Sequence, residues 1–85
     1  MENTEKYRLS DENIDAASEK IEKHLAAFSV DNRNVLRFRL MFEEILLNYR
    51  DRFGEENEFI LRCEKRFSRP RIVIAVAGEN LEPFA

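Results

Sequence analysis

"EFILRCEKRFSRPRIVIAVAG", residues 58–78, decides the fold. Its first half alternates: Phe59, Leu61 and Cys63 fall on one side, and Ile60, Arg62, Glu64 and Arg66 on the other. A period of two marks a strand with one buried face. Its second half, "RIVIAVAG", is a β-branched run suited to a more buried strand. "SRP" between them turns the chain, so the stretch predicts a β-hairpin.

Upstream of the hairpin the period changes. Val35, Phe38, Phe42, Ile45 and Tyr49 recur at helical steps, and Leu36, Leu40, Met41, Leu46, Leu47 and Phe53 widen the stripe. This predicts a helix from about Arg33 to Phe53, apolar on nearly every side over residues 40–49 and therefore buried on more than one face. Gly54 ends it where a left-handed backbone is usually needed. An earlier helix starts at Ser10 or Asp11, with Ile14, Ala17, Ile21, Leu25 and Phe28 as its apolar stripe. Asp11 and Glu12 place negative charge where the helix dipole favours it. "KYRLS" before it is a short candidate edge strand.

The order strand, helix, helix, strand, strand implies an α+β layer: two helices on one face of an antiparallel sheet. Residues 1–85 make one small domain, with residues 1–9 expected to be partly flexible. A hairpin over two helices leaves the edge of "RIVIAVAG" open to a second copy or a partner strand. Charged residues reach 36% and the chain has only two Gly and two Pro, which excludes a disordered composition. The net charge of −3 gives no global reason to expect nucleic acid. Arg33, Arg37 and Arg39, and then Arg62, Lys65, Arg66, Arg69 and Arg71, alternate with acids and apolar residues, the pattern of a solvated surface. One cysteine allows no intrachain disulfide, which fits a reducing, cytoplasmic setting. No apolar run approaches the ~20 residues of a membrane span, so no membrane role is expected.

Chemistry is sparse. Glu44, Asn48 and Arg52 recur at steps of four on the second helix, a solvated stripe or a site. A carboxylate can accept a proton, an amide oxygen suits Mg²⁺, and a guanidinium pairs with phosphate oxygens. Chance makes the solvated reading the commoner one for any E-x-x-x-N on a helix. His24 is alone near a helix end, and Cys63 alternates with apolar strand residues as a core thiol would.

Order and spacing together resemble the first half of the histidine-kinase-like ATPase domain, the GHKL or Bergerat fold, and most closely its small anti-sigma-factor serine kinases. The resemblance rests on "EEILLNYRDR" at 43–52, the hairpin behind it, Gly78, and "NLEPF" at 80–84. It implies an incomplete Bergerat-like sandwich, a fragment of a larger domain whose complete form is an ATP-dependent serine kinase or ATPase. It further implies ATP and Mg²⁺ as cofactors, Glu44 as the catalytic acid, Asn48 as the magnesium ligand, Arg52 near the phosphates, and Gly78 as the glycine of an Asp-x-Gly motif. Val76 stands where that motif has its aspartate, and Ala77 follows, so neither can accept the adenine hydrogen bond. The family's phosphate loop and lid would lie beyond Ala85. The expectation is a degenerate or truncated domain, not active alone. The alternative is a small non-catalytic interaction module that forms a homodimer, or binds a protein partner, through its sheet edge.

Overall fold

The computed structural model describes residues 3–84, in the order β1 (Asn3–Arg8), α1 (Asp11–Ala27), α2 (Asn32–Phe53), β2 (Glu58–Arg66), β3 (Arg69–Val76) and β4 (Glu79–Phe84). The strands form one antiparallel sheet in sequence order, β1-β2-β3-β4, with both helices packed against it. The α+β class expected from the sequence is what the chain adopts. Of the leading segment expected to be partly flexible, Asn3–Arg8 pair along β2 as the edge strand, and Leu9 is fully buried.

The helices start and stop for local reasons. Ser10 accepts a hydrogen bond from the Asn13 backbone N–H at 3.2 Å, which caps α1. Asp31 caps α2 through its backbone alone, with no side-chain bond. Gly54 closes α2 at φ 92°, and its N–H donates to the Arg50 carbonyl at 2.7 Å. Inside α1, Ile14, Ala17, Ile21 and Leu25 are buried. The buried Ser18 hydroxyl donates to the Ile14 carbonyl at 2.8 Å, so its desolvation is offset.

Val35, Phe38, Phe42 and Leu46 bury one face of α2 against α1 and the sheet. Phe59, Leu61 and Cys63 of β2 meet Ile72, Ile74 and Val76 of β3 in the same core. Tyr7 of β1 stacks on Phe59 at 5.1 Å, extending the core to the first edge. Arg39 joins the helices, reaching Asp15 and Glu22 on α1 and Glu43 on α2, each at 2.9 Å.

Three expectations change. α2 is buried on one face only: Leu36, Leu40 and Met41 are 49%, 69% and 39% exposed, so the wide apolar band wraps onto the outer surface. The edge of β3 is not open, because "ENLEPF" folds back as β4 and pairs along it. The hairpin turn, Phe67–Ser68, takes only the serine of "SRP", so Arg69 and Pro70 belong to β3.

The other face of the sheet has no helix over it. Ile60, Arg62 and Glu64 project there from β2, and Arg71 and Val73 from β3. Arg71 pairs with both Glu64 and Glu82, a charged bridge across β2, β3 and β4. That network fixes how the sheet presents the β2–β3 tip.

Candidate functional site

Glu44, Asn48 and Arg52 are all exposed. They share the exposed side of α2, but each step of four turns about 400°, so the side chains drift by about 40° per step around the helix. Asn48 and Arg52 line a shallow depression with Ile45, Tyr49 and Leu81 of β4, whereas Glu44 lies outside it. Arg52 sits 5.2 Å above the Phe53 ring, and neither it nor Asn48 has an ion-pair or hydrogen-bond partner among the described residues. The Tyr49 hydroxyl donates to the Glu79 carboxylate at 2.5 Å, which ties the end of α2 to the start of β4. That bond to a carboxylate raises the Tyr49 pKa above the ordinary phenol value.

Gly78, next in the chain to the Tyr49 partner Glu79, is not part of that depression's lining. With Ala77 (φ 51°) it makes the two-residue turn from β3 to β4, at φ 79°, closed by the Val76–Glu79 pair. The turn needs glycine for its dihedral alone: a Cβ there would meet nothing within 4 Å. Gly78 opens onto a second depression with Lys6, Ile60, Ala75 and Asn80, on the helix-free face. Val76, where the resemblance would call for an aspartate, is 3% exposed and packed into the core.

A magnesium–nucleotide group can be tested against these positions. One exposed amide is a single ligand, and among the described residues no group of three or more His, Cys, Asp or Glu side chains is placed to hold a metal. The chain's only glycines are Gly54, which is spent on the α2 C-cap, and Gly78, which is spent on the turn. Neither glycine is left to form a glycine-rich phosphate loop among the described residues. The described residues hold one corner of such a site and do not fit the whole group.

The remaining reactive side chains serve the fold. Burial pushes the Cys63 thiol up to about 11, and the thiol is 2% exposed, which suits a core residue and not a nucleophile. His24 Nε2 contacts the Glu64 carbonyl at 2.8 Å and fastens the end of α1 to β2. The Lys20 ammonium and the Tyr7 hydroxyl, in that order, hold the Glu5 carboxyl below the usual range.

Two surface features escaped the sequence reading. The first is the outer face of α2, where Leu36, Leu40 and Met41 are flanked by exposed Arg33 and Arg37 on the N-terminal side and Glu44 and Asp51 on the C-terminal side. The second is Phe67, 88% exposed at the β2–β3 tip. The signal for the first was present: residues 36 and 40 lie about 100–160° away from the 35/38/42/46 stripe, outside a single buried face. Among the described residues no helix is long and apolar enough to cross a membrane. Comparison with protein-family models, curated proteins and solved structures finds no match to this chain.

Proposed function

We propose that the chain is a non-catalytic association module that pairs with a second copy of itself through the outer face of α2. The observation that carries this reading is the exposed Leu36, Leu40 and Met41 on one helix face. Charge supports a self-complementary, antiparallel arrangement. Arg33 and Arg37 occupy one half of the face and Glu44 and Asp51 the other, so a two-fold axis near residue 42 sets Arg33 against Asp51 of the second copy. Leu40 and Met41 then lie at the centre, where water is excluded most completely.

The sheet edges support pairing less well. β1 carries exposed Glu5, Lys6 and Arg8, and β4 carries Pro83 and an irregular register opposite Ile72–Ile74. Charges, proline and irregular register are how natural edges resist strand addition. Three exposed apolar residues make a small interface, so the dimer is weak, with a Kd on the order of 10–100 µM. Light scattering against concentration tests this: a mass rising towards twice the monomer supports it, and a constant 10.1 kDa species refutes it.

A second reading, the ATP-dependent half-domain of a kinase or ATPase, draws on the depression that Asn48 and Arg52 share. Calorimetric titration with Mg-ATP decides it. Heat that disappears in Asn48→Ala supports nucleotide binding, and no heat from the wild-type chain removes the basis for it.

A further inference from the structure

The tip of the β2–β3 hairpin breaks three local rules at once. A two-residue turn with both central φ values positive favours Asn and Gly, yet Phe67 (φ 51°) and Ser68 (φ 65°) fill it. A bulky residue in that region is strained. Arg66 and Arg69 are direct cross-strand partners, and like charges placed opposite each other destabilise a strand pair. The phenylalanine at the apex is 88% exposed. The contact of Arg66 with the Phe67 ring offsets only part of these costs, and such conflicts gather where a surface has another use.

The charges around the ring are available. Arg71 is taken by Glu64 and Glu82, whereas Lys65, Arg66 and Arg69 have no ion-pair partner among the described residues. Arg66 lies 5.6 Å from the Phe67 ring centroid, so ring and guanidinium form one stacking surface. Beside it lies an open depression of about 310 Å³ lined by Arg66, Phe67, Arg69, Pro70, Arg71 and Glu82, at the lower end of small-ligand sites.

We propose that this tip binds single-stranded nucleic acid. A phosphate between Arg66 and Arg69 relieves their repulsion, a base stacks on Phe67, and Lys65 contacts the neighbouring phosphate. Pro70 walls the base, and the Glu82 carboxylate on the rim offers an acceptor for a base N–H. The overall charge of −3 does not decide against this, because charges beyond about 8 Å are screened at physiological salt and the tip acts as a local patch. A flat anionic bilayer suits the tip less, because it leaves the depression unused.

The test is fluorescence polarisation with a labelled oligouridine of about twelve nucleotides. The wild-type chain should bind, and Phe67→Asn should weaken binding about five- to a hundred-fold. Asparagine suits this turn, so the same variant should melt at a higher temperature, which separates lost binding from lost folding. Arg66→Gln with Arg69→Gln should lower the salt slope by about 0.7, the expectation for the one phosphate the pair shares. Absent binding overturns the proposal, as does equal binding by Phe67→Asn. Equal affinity for duplex, untouched by Phe67→Asn, reduces the tip to plain charge and overturns stacking. Binding to phosphatidylserine vesicles without oligouridine binding overturns it in favour of a lipid surface.

Discussion

Arg39→Met removes the three-carboxylate clamp that joins the helices and leaves the separate Arg50–Asp11 ion pair between them in place. The guanidinium places Nη2 2.9 Å from Asp15, Nη1 2.9 Å from Glu22 and Nε 2.9 Å from Glu43. The Arg39 side chain is 24% exposed, while its partners are 69%, 37% and 31% exposed. Exposed pairs contribute about 0.2–1 kcal/mol each, so the Asp15 contact belongs near the bottom of that range and the other two near the top. Methionine keeps the apolar stem, so packing is largely conserved. The loss should be about 1–2 kcal/mol, or roughly 5–15 °C in Tm for a domain of this size. Urea denaturation at constant m, followed by circular dichroism, measures it. In about 1 M salt the difference should shrink by more than half, because the partners are solvated. A variant as stable as wild type at low salt would show that the clamp is geometry without energy. A loss of the same size in high salt would assign the effect to packing.

Other consequences are as direct. Ser10→Ala should cost about 1 kcal/mol by removing the α1 cap bond, whereas Asp31→Ala, with no such bond to lose, should cost less than half as much in the same urea assay. Cys63 should resist thiol reagents in the native state. Burial pushes its pKa up to about 11 from the ordinary thiol value of 9.0, so folding favours the neutral thiol. That contribution is intact below pH 9.0 and is lost as the pH rises from there towards about 11. Two units correspond to about 2–3 kcal/mol, and Cys63→Val should remove the part of the alkaline decline that begins near pH 9.0, leaving the part from Tyr7 and Tyr49 above pH 10.0.

The elements were legible because the sequence states their periods plainly. Phe59–Leu61–Cys63 alternate, and Ile14–Ala17–Ile21–Leu25 recur at three and four, and both sets are buried as those periods require. β4 was hidden because "NLEPF" contains a proline and no alternating apolar run, although Gly78 after a β-branched strand signalled the turn that makes it possible. The outer face of α2 was misjudged because an apolar residue carries no mark of which side it faces. With only one further layer to pack against, a helix apolar on several sides must show some of that surface to solvent. The site residues were legible as a spacing but not as a place. Four-residue steps left Glu44 beside Leu40 and carried Arg52 towards Leu81, and Gly78 was claimed by a tight turn. Phe67 was invisible as an exposed residue because it continues the alternation of β2 in sequence, and only the position of the turn puts it at the apex.

Sedimentation equilibrium on the wild type and on Leu40→Glu, over about a hundred-fold range of concentration, tests the central claim most directly. Leu40 is 69% exposed, so the substitution leaves the fold intact and places a second carboxylate beside Glu44 at the centre of the proposed interface. The account predicts a reversible monomer–dimer equilibrium for the wild type and a monomer throughout for Leu40→Glu. A wild type that stays monomeric, or a Leu40→Glu chain that dimerises as strongly, would contradict it.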